Sequence, residues 1–334
     1  MFVHITGTGS YLPERVVTND ELSQQLDTTD EWIFSHTGIH SRHIGAPEEN
    51  TSDMAIKAAQ NALENAGVAA EDLGNVIVAT SSGDYQAFPS VACLVQDAIG
   101  AKHAGTFDLQ AACAGFVTAL HVARGLLQLD PRPILVIGAE MMSRIVDWKD
   151  RNTCILFGDG AGAAVLQPSS EPGGLMETTL RGDGSGSHLI SRTGGTRAVE
   201  PESAEAQADG VLPVLRMKGR AVYNFAVKIF DEVLNDLLVR SKHVFSDLAW
   251  VVPHQANSRI VESVARRMNV PLSKFFMNME TTGNTSAASI PIALDELNRS
   301  GKLKPGDLLA TVAFGAGLTY GGMLFKWTGA LGRA

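Results

Sequence analysis

The sequence predicts an α/β protein built from two similar halves, with mostly parallel sheets that share a helical layer in an αβαβα arrangement. Two observations support this prediction. Helical and strand patterns alternate along the chain, and such alternation places helices against the faces of parallel sheets. In addition, the order of elements in the first part of the chain recurs in the second. The recurrence divides the 334 residues near residue 172, into halves 1–172 and 173–334.

The first clear unit is a helix followed by a strand. Apolar residues recur at helical spacing from residue 51 to 66, and Gly67 ends the pattern. The unbroken apolar run at 76–79 then predicts a strand buried on both faces, which is typical of parallel sheets. A second helical pattern at 222–237 precedes a second apolar run at 250–252. We interpret the two units as equivalent.

Both halves continue with a short segment, an apolar helix and a further strand. Cys113 ends the segment FDLQAAC, and Gly283 ends the segment FMNMETTG. Each opens onto an apolar helical run that leads to a proline-containing turn and to the strands predicted at 131–138 and 305–315. Asn284 is therefore expected at roughly the position in the second half that Cys113 has in the first.

Composition excludes several classes of function. A net charge of −9 makes the whole molecule a poor nucleic-acid binder. The sequence shows neither a basic leader nor an apolar stretch that could span a bilayer, so we expect a cytoplasmic protein with no membrane partner. Its three cysteines have no metal-binding or redox spacing and are expected to be free thiols. The acidic, alanine-rich stretch at 194–210 is interpreted as an exposed insertion.

Cys113 is the candidate nucleophile. It lies among small residues in QAACAGF, just before an apolar helical run. Because a helix N-terminus favours thiolate over thiol, we expect the pKa of Cys113 to be lowered and this cysteine to be the first one alkylated. From the local pattern alone, a buried structural cysteine is the alternative.

Two polar residues of the second half are candidates to join Cys113. His254 directly follows the apolar run at 250–252, where a parallel sheet presents its ligands. Asn284 precedes a helical run, and an ordinary helix cap is its alternative role. Two symmetric halves would bring all three residues together.

Three glycine-rich runs, at 7–9, 158–162 and 315–317, match neither the dinucleotide nor the ATP fingerprint. We therefore expect no such nucleotide site. The third run ends an apolar strand, and its backbone N–H groups could stabilise an oxyanion.

Six segments carry a family resemblance. They are DTTDEWIFSHTGI (27–39), DLQAACAGF (108–116), FGDGAGAAVL (157–166), HQAN (254–257), GNTSAASIP (283–291) and FGAGLTYGG (314–322). In this order they resemble the segments of β-ketoacyl-[acyl-carrier-protein] synthase III, a condensing enzyme of the thiolase-like fold. The resemblance extends over essentially the whole chain.

The resemblance implies the initiating condensation of fatty acid biosynthesis. Cys113 would accept an acyl group, acetyl in the first instance, from acyl-CoA and transfer it to the carbanion formed by decarboxylation of malonyl-acyl carrier protein. His254 and Asn284 would donate hydrogen bonds to the enolate oxygen, and the N–H groups of Cys113 and Ala316 would form the oxyanion hole. No metal or redox cofactor is required. The alternative is a related acyltransferase or condensing enzyme of secondary metabolism with a different primer.

The same resemblance implies binding residues, for which a core position or a solvated charged face is the simpler alternative. Trp32 would stack on the CoA adenine, and the rest of the CoA path would be lined by Thr28, Thr37, Arg151, Gly219, Asn257 and Arg259. The acyl pocket would be formed by Met142, Phe157, Leu189, Leu215 and Phe88, the last contributed across a homodimer interface. Docking of the carrier protein would use Arg259, Arg266 and Arg267.

The chain departs from the family pattern at three positions. His36 replaces an Arg beside the CoA entrance, Ala316 replaces the middle glycine of a Gly-Gly-Gly run, and Asn224 replaces a lysine associated with carrier docking.

Related chemistries on the same fold fit the sequence less well. A biosynthetic thiolase needs a second cysteine near the C-terminus, whereas the last cysteine is Cys154. Elongating synthases use two histidines, and no histidine follows His254. An enzyme that acylates an alcohol or amine would not need Asn284. A non-catalytic member of the fold would be expected to lose Cys113 or His254.

Overall fold

The computed structural model describes residues 1–192 and 214–329. The insertion predicted at 194–210 lies outside these residues. The helices are α1 (Asn19–Ser23), α2 (Asp30–Thr37), α3 (Thr51–Ala66), α4 (Val91–Ile99), α5 (Gly115–Leu126), α6 (Gly219–Ser241), α7 (Ser258–Met268), α8 (Met279–Thr282) and α9 (Ser289–Arg299). The strands are β1 (Phe2–Tyr11), β2 (Arg15–Thr18), β3 (Ser41–Ile44), β4 (Asn75–Ala79), β5 (Gly105–Leu109), β6 (Ile134–Glu140), β7 (Gly160–Ser169), β8 (Gly174–Gly182), β9 (Ile190–Arg192), β10 (Leu215–Met217), β11 (Leu248–Pro253), β12 (Leu308–Gly315) and β13 (Thr319–Lys326).

Two large sheets form the framework. The first has the strand order β1-β7-β6-β4-β5 and the second has the order β11-β12-β13-β8. In the first sheet β4, β5 and β6 are mutually parallel, while β7 is antiparallel to both of its neighbours. Four of its five strands therefore run in the same direction. In the second sheet β13 alone opposes the other three.

The mostly parallel α/β prediction is thus confirmed, but one reversed strand in each sheet was not anticipated. The reason is clearest at β12 and β13, which are joined by only Ala316-Gly317-Leu318. Such a tight connection can link only antiparallel strands, because a parallel pair needs a long crossover.

The helices form three layers around the two sheets. On the outer face of the first sheet, α3 packs on β1, β6 and β7, and α4 packs on β4 and β5. On the outer face of the second sheet, α6 packs on β8, β12 and β13 and also contacts α7. Between the sheets lie α5 and α9, each of which contacts strands of both sheets. This arrangement is the predicted αβαβα sandwich.

Helix α3 shows how local sequence produces one outer layer. The Asp53 carboxylate accepts a hydrogen bond from the Asn50 N–H at the start of the helix (2.8 Å), and Gly67 ends it with a left-handed φ of 66°. The predicted apolar face is buried over its full length, at Met54, Ala55, Ala58, Ala59, Ala62 and Leu63. These side chains pack on the first sheet and form part of its outer core.

The glycine-rich runs permit close packing of helices on the first sheet. A Cβ atom on Gly7 would lie 2.5 Å from the Ala66 nitrogen of α3, and one on Gly162 would lie 2.6 Å from the Ile292 nitrogen of α9. A Cβ atom on Gly138 would collide with the carbonyl oxygen of Ala287. The contacts at Gly162 and Gly138 position α9 against β7 and the turn before α9 against β6.

The predicted boundary near residue 172 falls between β7, in the first sheet, and β8, in the second. The division into halves 1–172 and 173–334 stays a prediction. Among the described residues, no helix combines the length and the apolar character needed to cross a bilayer.

We expect Gly138→Ala to lower the free energy of unfolding by about 1–3 kcal/mol, because the new methyl group overlaps a backbone oxygen that cannot move independently of its turn. Gly125→Ala is the matched control: Gly125 lies exposed in α5, a Cβ atom added there would have no neighbour within 4 Å, and alanine should stabilise the helix by up to about 1 kcal/mol. Urea denaturation of both variants measures the difference. Equal stability of the two variants would contradict the packing described here.

Candidate active site

Cys113 lies on a sharp turn between β5 and α5. Ala112 has a left-handed φ of 45°, and a single 3-10 turn, Ala112–Ala114, leads directly into α5 at Gly115. This geometry presents Cys113 to a cavity of about 1130 Å³. Because this conformation is uncommon for any residue other than glycine, the surrounding structure must hold Ala112 in it.

The cavity brings together the three predicted catalytic residues. Cys113, His254 and Asn284 all line it, and Ala316 does as well. They come from distant parts of the chain, at the ends of β5, β11 and α8 and in the loop after β12. The convergence expected from two symmetric halves is therefore present.

Cys113 contacts a buried hydroxyl and, through it, a buried carboxylate. Its Sγ lies 3.5 Å from the Ser286 Oγ, and the Ser286 hydroxyl donates to the Glu140 Oε1 at 2.9 Å. The other carboxylate oxygen of Glu140 accepts from the Ser81 N–H at 3.1 Å and from the Ser82 hydroxyl. Glu140, at the end of β6, is fully buried.

The expected lowering of the Cys113 pKa is wrong. Burial raises the pKa of this thiol to about 12; the Ser286 hydrogen bond lowers it, and the charge of Glu140 raises it further. The sequence showed the helix N-terminus but neither the burial nor the carboxylate.

The other two cysteines also differ from each other. All three are free thiols, as predicted. Cys93 is exposed, and its pKa is lowered by hydrogen bonds from Ser90 and Thr106. Cys154 is buried, which raises its pKa to about 11. Preferential alkylation of Cys113 was expected from a lowered pKa, and the structure lowers the pKa of Cys93 instead.

His254 is held by its backbone and by one ring nitrogen. Its N–H donates to the Val312 carbonyl at 2.8 Å, and its Nδ1 lies 2.7 Å from the Ser289 Oγ at the start of α9. The Ser289 Oγ also accepts from the Gln255 N–H at 3.3 Å. Burial lowers the pKa of His254 to about 3, so the imidazole is neutral at pH 7.

The amide of Asn284 has a defined orientation. Its Oδ1 accepts from the Ser286 N–H at 2.8 Å, which leaves the Nδ2 group as a donor beside the cavity. The Asn284 backbone N–H donates to the Leu156 carbonyl at 2.8 Å and joins the segment to the loop before β7.

Asn284 is not the structural counterpart of Cys113, contrary to the sequence expectation. The 3-10 turn that precedes α9 is Ser286–Ala288, and Ser286 has a left-handed φ of 51° that matches the φ of 45° at Ala112. Ser286 therefore corresponds to Ala112, and Ala287 corresponds to Cys113. Asn284 lies two residues before this turn. The sequence expectation was displaced because helical periodicity predicts where a helix runs but not which residue begins it.

The loop after β12 packs directly on Cys113. A Cβ atom on Gly315 would lie 2.6 Å from the Cys113 nitrogen, so only glycine allows this approach. The Thr319 Oγ1 lies 2.8 Å from the Ala111 carbonyl oxygen and 3.0 Å from the Ala316 carbonyl oxygen. Thr319 thus connects the loop that carries Ala316 to the turn that carries Cys113.

The residues expected to bind CoA divide into two groups. Those that line the cavity are Trp32, Thr37, Gly219, Asn257 and Arg259. Thr28 and Arg151 lie outside its lining, although the Arg151 guanidinium sits 5.2 Å from the centroid of the Trp32 ring. His36, which departs from the family pattern, stacks on Trp32 with ring centroids 4.3 Å apart.

Three of the expected acyl-pocket residues, Met142, Phe157 and Leu215, line the cavity. Leu189 is half-buried outside it, although the adjacent Ile190 is part of the lining. Phe88 is 85% exposed and does not reach the cavity of its own subunit.

The expected docking arginines lie on or beside α7. Arg259 lines the cavity, and Arg266 is exposed with its guanidinium 3.0 Å from the Ser263 Oγ. Arg267 forms an ion pair with Asp231 (2.9 Å), so part of its charge is already neutralised.

Sequence reasoning missed Glu140, Ser286, Ser289 and Thr319. Each was visible as a residue but had no assigned role. Glu140 carried the clearest signal, because an acidic residue closes the otherwise apolar strand ILVIGAE. A carboxyl group in such a position is buried and needs hydrogen-bond donors.

Known proteins match the chain over nearly its full length. The family models that match are 3-oxoacyl-[acyl-carrier-protein (ACP)] synthase III, at residues 107–184, and the C terminal part of 3-oxoacyl-[acyl-carrier-protein (ACP)] synthase III, at residues 238–327. A curated β-ketoacyl-[acyl-carrier-protein] synthase III from Xanthomonas axonopodis pv. citri (strain 306) is 45% identical over 328 residues, which are 98% of this chain and 99% of that protein.

Solved structures agree with these matches. The 3-oxoacyl-[acyl-carrier-protein] synthase III of Aquifex aeolicus VF5 has a TM-score of 0.89 at 41% identity, covering 97% of this chain and 100% of the other. The priming β-ketosynthase from the R1128 polyketide biosynthetic pathway has a TM-score of 0.91 at 36% identity, covering 98% of this chain and 97% of the other. The fold predicted from the sequence is confirmed.

The buried, neutral His254 predicts acid sensitivity. The pKa of this group falls from 6.5 when unfolded to about 3 when folded, so its contribution to stability is present above pH 6.5 and is lost as the pH falls toward 3. Between pH 7 and pH 4.5 the wild type should lose roughly 2–3 kcal/mol more than His254→Gln. Urea denaturation at both pH values measures this, with the exposed-site variant His188→Gln as the control. Parallel losses in wild type and His254→Gln would contradict a buried neutral imidazole.

Proposed function

The chain belongs to the β-ketoacyl-[acyl-carrier-protein] synthase III family, and on this premise we propose that Cys113, His254 and Asn284 catalyse its initiating condensation. As a member of this family the protein is an acyltransferase of the condensing type, which acts in fatty acid synthesis. One observation carries the assignment of residues: the three side chains, from distant parts of the chain, line one cavity. The segment from Asn284 to Ser289 contacts both Cys113 and His254.

In the first half-reaction, the Cys113 sulfur attacks the carbonyl carbon of an acyl-CoA. The negative oxygen of the tetrahedral intermediate would accept from the backbone N–H groups of Cys113 and Ala316. Gly315 and Thr319 support this arrangement, because they fix the Ala316 loop against the Cys113 turn. Collapse of the intermediate releases CoA and leaves the acyl group on Cys113.

In the second half-reaction, the malonyl thioester of the carrier protein loses carbon dioxide and becomes an enolate. His254 and Asn284 suit this step because both are neutral hydrogen-bond donors. The Ser289 hydroxyl donates to His254 Nδ1 in this scheme, which places the ring proton on Nε2. The enolate carbon then attacks the acyl group on Cys113, and the 3-oxoacyl product leaves on the carrier. The scheme uses no metal or redox cofactor.

Substrate access can be proposed from the same cavity. Trp32 with Arg151 beside it would receive the CoA adenine, and Asn257 and Arg259 line the same cavity. Arg259 and the exposed Arg266 would attract an acidic carrier protein. Arg267 contributes less, because its ion pair with Asp231 (2.9 Å) is closer than that of Arg266 with Glu262 (4.0 Å). A cytoplasmic location stays a prediction from the sequence.

We further propose a homodimer in which β5 faces its counterpart. This strand is an edge of the first sheet, and an uncovered edge readily pairs with another chain. Phe88 supports the same interface, since a large apolar side chain that is 85% exposed favours a protein contact. In the dimer, Phe88 would close the acyl pocket of the partner subunit.

A second candidate function differs in primer and pathway. It is favoured by the similarity to a priming β-ketosynthase of polyketide synthesis. Intact-protein mass measurement after exposure to acetyl-, branched- and longer acyl-CoAs, followed by malonyl-acyl carrier protein, separates the two. Exclusive loading of a long or unusual acyl group would favour the second candidate.

Asn284→Ala should separate the two half-reactions. Acylation needs Cys113 and the oxyanion hole, whereas decarboxylation also needs the Asn284 donor, and removing one such donor costs about 10²–10³ in rate. We expect labelled acyl-CoA still to acylate Cys113 while carbon dioxide release from malonyl-acyl carrier protein falls by that factor. His254→Ala should impair condensation at least as strongly. An Asn284→Ala enzyme that releases carbon dioxide at the wild-type rate would overturn the assigned role.

A mixed dimer tests the role of Phe88. Phe88→Ala homodimers should accept longer acyl-CoAs than wild type, because the pocket loses one wall. In a dimer of one Cys113→Ala subunit and one Phe88→Ala subunit, the intact Cys113 would face the intact Phe88 of its partner. We therefore expect wild-type chain-length selectivity per active cysteine, measured by intact-protein mass. Selectivity equal to that of the Phe88→Ala homodimer, or a fully active wild-type monomer, would contradict the proposal.

A further inference from the structure

A buried polar chain behind Cys113 has no role in the scheme above. It consists of Ser286, which is 3% exposed, and Glu140, which is fully buried. The Cys113 Sγ to Ser286 Oγ distance is 3.5 Å, and the Ser286 Oγ to Glu140 Oε1 distance is 2.9 Å. The chain therefore connects the reacting sulfur to a carboxyl group that lies behind the cavity lining and is not part of it.

The chemistry of the groups fixes the direction of these hydrogen bonds. An ionised carboxylate only accepts, so the Ser286 hydroxyl must donate its hydrogen to Glu140. Burial raises the pKa of Glu140, whereas the hydrogen bonds that it accepts from Ser81, Ser82 and Ser286 favour the carboxylate. The Ser286 oxygen is then left with lone pairs for the Cys113 S–H. All donors point from the thiol toward Glu140.

Cys113 needs a proton acceptor to react. A thiolate formed by losing the proton to bulk water would be a new buried charge, which is costly in this environment. His254 is poorly suited to the task, because in the proposed function its Nε2 already carries a hydrogen that it donates. Transfer to Glu140 creates no additional charge, since the negative charge only moves from the carboxylate to the sulfur.

We propose that Ser286 and Glu140 form a proton relay for Cys113, an inference that rests on the proposed acylation of this residue. As the sulfur lone pair forms the bond to the thioester carbon, the S–H proton passes to the Ser286 Oγ. The Ser286 hydroxyl proton passes to the Glu140 Oε1. The carbon–sulfur bond to CoA then breaks, and the departing CoA thiolate takes a proton from solvent at the cavity mouth.

The second half-reaction restores the starting state. When the enolate carbon attacks the acyl-enzyme, collapse of the intermediate expels Cys113 as a thiolate. The proton stored on Glu140 returns through Ser286 to the sulfur. Arg192, whose guanidinium donates to the Ser81 carbonyl at 3.3 Å and interacts with the charge of Glu140, stabilises the carboxylate before and after each cycle.

The relay predicts a proton balance that a purely structural network would not produce. Wild-type enzyme is mixed with acetyl-CoA, without carrier protein, in weakly buffered solution at pH 7 with a pH indicator. Because CoA leaves as a thiol at this pH and the Cys113 proton stays on Glu140, about one proton should be taken up from solvent per cysteine acylated. Direct transfer from Cys113 to CoA would take up none.

Variants test the same step through its rate. Ser286→Ala and Glu140→Gln should each slow acylation by about 10²-fold, as expected for loss of a positioned base, and should abolish the proton uptake. The matched control is Ser10→Ala, which removes a hydroxyl that donates to the buried Asp295 (2.6 Å) away from the cavity, and it should acylate at the wild-type rate.

The outcomes separate this inference from the function on which it rests. Acylation of wild type without proton uptake would overturn the relay alone, as would Ser286→Ala acylating at the wild-type rate. A wild-type enzyme that no acyl-CoA acylates would overturn the proposed function and the relay together. Proton uptake in the wild type that is lost in Ser286→Ala supports both.

Discussion

The active site depends on how the segment from Asn284 to Ser289 is wedged between the two sheets. Its Ala287 carbonyl packs against Gly138 of β6, its Asn284 N–H binds the Leu156 carbonyl, and its two serines contact Cys113 and His254. The left-handed φ at Ser286 costs about 1–3 kcal/mol. Hydrogen bonds to Glu140 and Asn284 offset part of that cost.

Burial keeps both Cys113 and His254 in their neutral forms. The same exclusion of water raises the pKa of the Cys113 thiol and lowers the pKa of the His254 imidazole, so both groups are neutral at pH 7. A site of this kind holds a negative charge only where oriented donors stabilise it. Neutral histidine and asparagine suit an enolate for that reason, and proton movement between buried groups costs less than their separate ionisation.

Periodicity and motif order predicted the fold and the convergence of Cys113, His254 and Asn284, because apolar spacing determines which segments are buried and how they connect. The same reasoning misjudged the Cys113 pKa, since a sequence shows a helix start but not the carboxylate that folding places beside it. It also assigned Asn284 instead of Ala287 as the counterpart of Cys113, because helical spacing does not show which residue has a left-handed φ. Leu189 lies outside the cavity for a related reason: its neighbour Ile190 lines the cavity, and adjacent residues can face opposite sides.

The two equivalent turns explain how a duplicated fold supports an asymmetric site. Ala112 and Ser286 adopt the same left-handed conformation, and each precedes a helix of the central layer. The turns pack against each other, since a Cβ atom on Gly115 would lie 3.4 Å from the Ala287 Cβ. In the first half the next residue, Cys113, is the proposed nucleophile, whereas in the second half the left-handed residue, Ser286, itself contacts that cysteine. Symmetry therefore supplies the proximity of the two turns, and the differences between them supply the chemistry.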